Sequence, residues 1–329
     1  MSCMKDKFNR EITYLRISVT ERCNLRCRYC MPEEGICKKK HEEMLTEEEL
    51  LTAVRIAASY GVTKVRLTGG EPLIKRNILS IARGIAQTPG IEEVCLTTNA
   101  ILLPEFAEDL REAGVNRVNI SLDTLDPQKY EWITRGGSLD EAMRGIEAAL
   151  GAGFDKVKLN AVLVGGWNED EIPALADLTR KWPVDFRFIE MMPMLGNTVF
   201  GGEAYIPYTK VLEALPELMS VEGKETENRT MSLSGVAKLY RLPGASGYVG
   251  LISPVTAHFC RNCNRLRLTA DGKLKPCLHS AAEFPIKGMD EESIRKQFEA
   301  AVAAKPEWHG NLSVTERSHA LRLMNQIGG

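Results

Sequence analysis

Apolar residues in this chain fall into short β-rich runs, separated by stretches whose apolar positions recur every three to four residues. Six runs predict strands: YLRISVTE (14–21), TKVRLTGG (63–70), EEVCLTTN (92–99), RVNISLD (117–123), DKVKLNAVLV (155–164) and DFRFIEMM (185–192). The stretches between them predict amphipathic helices; Leu50, Leu51, Val54, Ala57 and Ala58 fall on one face. Thr46 followed three residues later by Glu49 is a capping box, and Ser138 with Glu141 repeats it. Strict alternation of strand and helix implies a parallel sheet with helices outside. Six such units fit a partial, open (β/α)6 version of the eightfold TIM-like barrel. After about residue 220 the pattern changes to short segments punctuated by Gly and Pro, such as RLPGASGYVGLISPV. The expected organisation is an α/β partial barrel over residues 1–220 and a smaller C-terminal region over 221–329.

Ligands of such folds gather at the carboxyl ends of the strands. Cys23, Cys27 and Cys30 follow the first run, Gly69 to Pro72 end the second, and Thr97 and Thr98 the third. Ser121 and Asp123 end the fourth, and Glu190 to Met192 the sixth. Neither G-x-G-x-x-G nor G-x-x-x-x-G-K occurs, so a Rossmann or P-loop nucleotide site has no support.

Composition narrows the picture further. With 329 residues and 44% hydrophobic content the chain can bury a large core. A net charge of −2 gives no global attraction to nucleic acid or anionic membrane, so an anionic substrate must be met by locally placed basic residues. The charged N-terminus has no apolar signal core and no apolar stretch reaches membrane-spanning length, from which cytoplasmic residence is expected. Nine cysteines are too few and too unevenly spaced for a disulfide framework. Six form two triplets; Cys3, Cys37 and Cys95 are left over without function, Cys95 as a core residue.

The first triplet, Cys23, Cys27 and Cys30, has the spacing C-x-x-x-C-x-x-C with Tyr29 before its last member. A 4Fe-4S cluster normally takes four thiolates, so three close ligands leave one iron open. Zinc completed by His41 or Cys37 is the alternative. Some 40 residues on, Gly69, Gly70, Glu71 and Pro72 join a backbone free to approach a ligand closely with a carboxylate, a pairing suited to an amino-acid ammonium group. With these two motifs the chain resembles the radical S-adenosylmethionine enzymes.

The second triplet, Cys260, Cys263 and Cys277, also lacks a fourth thiol. Zinc completed by His279 or His258 and an iron–sulfur cluster fit its spacing equally. Arg265 and Arg267 alternate on one face of an extended segment, which suits an anionic substrate near an open iron; a solvated basic edge strand is the bland alternative. The second triplet together with NRLRLT narrows the resemblance, from Arg16 to Gly328 and Gly329, to the GTP 3',8-cyclases of molybdenum cofactor biosynthesis.

That resemblance implies two 4Fe-4S clusters, one on each triplet, and S-adenosylmethionine on the open iron of the first, contacted by Tyr29, Gly70, Ser121 and Met192. It implies reductive cleavage to a 5'-deoxyadenosyl radical, hydrogen abstraction from C3' of GTP, and ring closure to C8. The second cluster would face the guanine, and Arg16, Arg66, Thr97, Lys158, Arg265, Leu266 and Arg267 would bind GTP. Arg265, Arg267, Gly328 and Gly329 would serve catalysis, the glycine pair by reaching into the site; composition alone would make that pair a frayed tail. The implied partners are a low-potential electron donor, a cyclic pyranopterin monophosphate synthase acting on the product, and a second copy in a homodimer. Ala100 stands where the family commonly has glycine after TTN, so the turn there is expected to avoid positive φ.

Overall fold

The computed structural model describes residues 3–37, 39–197, 199, 201–221, 236–313 and 316–328. The six expected strands form, trimmed at their ends: β1 (Tyr14–Ser18), β2 (Lys64–Thr68), β3 (Glu93–Thr98), β4 (Arg117–Ser121), β5 (Lys156–Leu163) and β6 (Val184–Glu190). Each pairs with the next in parallel. The crossovers carry α1 (Glu47–Ser59), α2 (Ile78–Ala86), α3 (Leu103–Glu112), α4 (Pro127–Thr134), α5 (Leu139–Gly151) and α6 (Ile172–Lys181).

Local signals explain where these helices begin. Thr46 Oγ1 accepts from the Glu49 N–H at 3.2 Å while Glu49 Oε2 accepts from the Thr46 N–H at 2.9 Å, a reciprocal cap on α1. Ser138 accepts from the Glu141 N–H at 3.4 Å at the start of α5. Leu50, Val54, Ala57 and Ala58 are buried on the expected face of α1, with Leu51 half-buried beside them.

Residues after 220 continue the same sheet rather than forming one of their own. β9 (Val249–Ile252) pairs in parallel with β6, and β10 (Arg265–Leu268) in parallel with β1. Antiparallel strands finish both ends: β7 (Met219–Ser220) and β8 (Lys238–Arg241) beyond β9, β11 (Lys273–Lys275) and β12 (Phe284–Pro285) beyond β10. The sheet order β12-β11-β10-β1-β2-β3-β4-β5-β6-β9-β8-β7 is open, as an incomplete barrel requires. α7 (Thr209–Ala214) and α8 (Glu291–Ala303) complete the helices among the described residues. β10 lies between β1 and β11, so the RLR segment is an interior strand and the basic-edge alternative is excluded.

The two faces of the barrel strands differ sharply. Leu15, Ile17, Val65, Leu67, Val118, Ile120, Phe186 and Phe188 are fully buried in the apolar core. Each such side chain contributes roughly 1.5–3 kcal/mol by leaving water. The intervening positions, among them Arg16, Arg66, Asn119, Lys158 and Arg187, line a cavity instead. A filled barrel carries branched apolar residues there; here that layer is polar and borders open space.

Candidate active site

A cavity of about 400 Å³ runs along the inner face of the parallel strands, from Tyr14 and Lys64 at their amino ends to Ser121 and Glu190 at their carboxyl ends. All six triplet cysteines line it, and all are free thiols. The loop after β1 that carries the first triplet turns tightly, with the Cys27 carbonyl accepting from the N–H groups of Cys30 and Met31 at 2.9 and 3.1 Å. It is fastened to the end of α4 by the Arg26 N–H to the Thr134 carbonyl and the Arg28 N–H to the Ile133 carbonyl. Arg135, the αL cap of α4, donates back to the carbonyls of Arg26 and Met31.

Burial pushes the Cys23 thiol up to about 11 and Cys30 to about 12, and raises Cys27 well above the usual thiol range. Such thiols ionise only against a positive partner, as cluster iron supplies. Cys37 and His41 are exposed and neither lines the cavity, so the zinc alternative loses its fourth ligand at the first triplet. Among the described residues no three His, Cys, Asp or Glu side chains converge as a single metal ion needs. Three thiols in one loop without a fourth suit an incompletely ligated cluster.

The GGEP turn packs against the approach to this loop. Gly70 donates its N–H to the Thr20 carbonyl at 2.7 Å and Glu71 to the Arg22 carbonyl at 2.8 Å. A Cβ on Gly70 would lie 2.1 Å from the Arg22 oxygen, so only glycine fits. The Glu71 carboxylate accepts from Thr98 Oγ1, the Leu73 N–H and the Asn99 N–H at 2.8 to 3.0 Å, and burial raises it to about 7. It thus joins the ends of β2 and β3, while the backbone edge beside it faces the cavity. Across the chamber Tyr29 donates to Asp123 at 2.7 Å; Asp123 also accepts from the Val162 N–H at 2.8 Å, and burial raises it to about 6. Ser121 and Met192 also line the cavity.

Between the triplets the chamber is basic. Arg16, Arg66, Lys158, Arg265 and Arg267 line it with Thr97, joined by Lys64, Arg117 and Arg187, which were not singled out from sequence. Their signal was present as cations on alternate positions of strands expected to be buried. Arg66 donates to the Tyr14 hydroxyl at 2.5 Å and to Thr97 Oγ1 at 3.3 Å. Burial and then the neighbouring Arg267 hold Arg16 well below the usual guanidinium range; burial and Arg265 lower Arg267 to about 10. Burial and Arg187 bring Lys158 down to about 7, against the opposing pull of Asp185. Buried Nε atoms of Arg187 and Arg265 and Oδ1 of Asn119 and Asn160 have no hydrogen-bond partner among the described residues. Crowded cations and unsatisfied polar atoms facing one cavity fit a polyanionic ligand.

Leu266 turns the other way, with its side chain buried in the apolar core, so only its backbone stands between the two arginines. At the second triplet, His279 lines the cavity but its Nδ1 lies 3.0 Å from Ser318 Oγ, and His258 packs edge-on to His309. Burial raises Cys260. It also pushes Cys263 up, but Lys305 and Arg265 outweigh it and leave that thiol below its usual value. Lys305 lines the cavity and was not singled out from sequence, where a lone lysine after a helix carries no signal.

Gly328 lies beside β1 and β2, its φ at +71° and its carbonyl accepting from Arg267 Nη1 at 2.9 Å. Gly329 lies outside the described residues. The segment leading there is held by Arg322, which forms paired bonds to Asp271 at 3.0 Å and to Glu283 at 2.6 and 2.7 Å. Ala100 overturns one expectation: its φ is +70°, so the turn after TTN takes the left-handed conformation without glycine. Thr98 Oγ1 accepts from the Ala100 N–H at 3.0 Å, which helps hold a conformation costly for an L-residue.

Known proteins share the sequence family and the fold. The model of the radical SAM superfamily matches residues 17–179, and that of molybdenum cofactor synthesis C matches residues 184–311. Crystal structures of SuiB from Streptococcus suis and of anSMEcpe with bound AdoMet share the fold. The first has a TM-score of 0.64 at 16% identity, covering 92% of this chain and 69% of that one; the second has 0.56 at 17%, covering 85% and 80%. Fold and rim together define a radical SAM protein. GTP 3',8-cyclases of Alkaliphilus oremlandii and Pelotomaculum thermopropionicum are 46% and 47% identical to it over 99% of this chain and 100% of each relative. The chain belongs to the GTP 3',8-cyclase family.

Proposed function

We propose that this chamber cyclises GTP between C3' and C8 to 3',8-cyclo-7,8-dihydro-GTP, the first step of molybdenum cofactor biosynthesis. The observation that carries this reading is that both thiol triplets line one cavity with a belt of buried cations between them. Cys23, Cys27 and Cys30 hold one 4Fe-4S cluster, and Cys260, Cys263 and Cys277 the other. When bound, the first cluster with S-adenosylmethionine supplies a carbon radical able to take hydrogen from C3' of GTP.

The chain's own residues bind and orient. The backbone edge at Gly70, with Tyr29, Ser121 and Met192, cradles S-adenosylmethionine. Arg16, Arg66, Thr97, Lys158, Arg265 and Arg267 hold GTP, whose triphosphate needs forked, permanently charged donors; Leu266 offers backbone only. Gly328 is assigned to the reacting end, where a side chain would obstruct, and Gly329 to catalysis with it. Enclosure of the chamber by the strands excludes water and so strengthens the charge interactions within it.

Outside the chamber, the reading implies a low-potential electron donor, a downstream cyclic pyranopterin monophosphate synthase, a homodimer and cytoplasmic residence. Among the described residues no helix is long and apolar enough to cross a membrane. The test is anaerobic incubation of reconstituted protein with reductant and S-adenosylmethionine, with and without GTP, read by mass spectrometry. GTP-dependent 5'-deoxyadenosine together with a GTP-derived product supports the cyclase. Slow 5'-deoxyadenosine that ignores GTP leaves the radical chemistry and removes the substrate.

A further inference from the structure

Lys305 stands just beyond Ala304, the C-cap of α8, and is 2% exposed. Its Nζ donates to the Arg265 carbonyl at 2.8 Å, to the Pro276 carbonyl at 2.9 Å, and lies 3.5 Å from Cys263 Sγ. Those carbonyls belong to the strand two residues beyond Cys263 and to the residue just before Cys277. A single ammonium therefore joins the two segments that carry the second triplet. Among the described residues it forms no ion pair with a carboxylate, whereas buried Lys275 has Glu283 at 3.2 Å. An ammonium this deeply buried is very costly without a counter-charge. The anionic group within its reach is the Cys263 sulfur, once that sulfur is a thiolate.

We infer that Lys305 is a positioning residue of the second cluster: it supplies a charged N–H···S hydrogen bond to the Cys263 thiolate and so favours the reduced cluster. One-electron reduction adds a negative charge to the cluster, and a fixed cation at one of its sulfurs stabilises that added charge; hydrogen bonds to sulfur and net charge are what set such potentials. Lys305 reaches a ligand sulfur and the two ligand-bearing segments, so its effect would fall on the electron affinity of the cluster and on the geometry of those segments. The inference rests on the reading of the second triplet as a cluster site.

The experiment separates the two readings. In full-length protein with Cys23, Cys27 and Cys30 replaced by Ala, iron content and electron paramagnetic resonance report the second cluster alone. Absence of a 4Fe-4S signal there overturns the cluster reading itself and this inference with it. If the signal is present, redox titration of Lys305→Met in that background should show a potential more negative than that of the parent. The reduced-to-oxidised ratio at fixed poise should fall about tenfold, equivalent to 59 mV for one electron, and Lys305→Arg should recover most of the shift. An unchanged potential in Lys305→Met overturns the inference and leaves the cluster reading standing. If Lys305→Met fails to hold iron, the unmodified protein decides. Pulsed resonance on the reduced cluster in protein labelled with 15N-lysine should show a nitrogen coupling, and its absence overturns the proposed bond.

Discussion

Arg267 donates from one nitrogen, Nη1, to the carbonyls of both Ile327 and Gly328, at 3.0 and 2.9 Å. A side chain on β10 thereby fixes the end of the described chain beside the last residues of β1 and β2. The bond ties the reading of the glycine pair to that of the basic strand: neither can move without the other.

Substitution of Gly328 should therefore be damaging in a specific way. At φ +71° an L-residue is strained, and its Cβ would lie 2.3 Å from Thr68 Oγ1. We expect Gly328→Ala to lower product formation at least tenfold, and deletion of Gly328 and Gly329 to abolish it. Iron content should stay that of the parent in both. A deletion variant with parental turnover would return the segment to a bland tail.

Arg265→Ala or Arg267→Ala should weaken GTP binding at least tenfold while both clusters assemble. A charged hydrogen bond contributes roughly 1.5–3 kcal/mol, and removing one cation also relieves its neighbours, which keeps the loss near the lower end. Equilibrium titration under anaerobic conditions measures it; affinity within twofold of the parent contradicts the placement.

Lys158 predicts a pH dependence of nucleotide affinity. Burial holds its pKa down at about 7, so below that pH the ammonium is already present before binding and affinity is flat. Above it the lysine is neutral before binding, and an anion can restore the charge only by drawing a proton from solvent. Affinity should fall up to tenfold per pH unit above about 7, with net proton uptake visible in calorimetry across buffers of different ionisation enthalpy. Lys158→Met should flatten that slope.

Arg322 should act on the tail rather than on the clusters. Its bonds to Asp271 and Glu283 depress both carboxyls below their usual range. Because those folded pKa values are lowered, the contribution is present above the unfolded values and fades as pH falls through the folded ones. Arg322→Ala should speed hydrogen exchange across residues 316–328 and reduce turnover, with iron unchanged. Unaltered exchange would mean the tail is held by other contacts.

Much of this protein was legible in its sequence. Alternation of strand and helix, with caps at Thr46 and Ser138, determined six parallel strands, because periodicity and capping are local properties of backbone and side chain. The cysteine spacing put three thiols in one loop, and Gly70 marked a close backbone approach, for the same reason. Tertiary structure decided which distant segments share the chamber. Register between β1 and β10 sets Arg16 opposite Arg267, brings the second triplet to the amino ends of those strands, across the chamber from the first, and turns Leu266 into the core. Lys305 meets a thiol 42 residues away, a contact that no spacing encodes. Ala100 shows the same limit from the other side: local preference argues against its φ, and the Thr98 hydroxyl and the packed end of β3 overrule it.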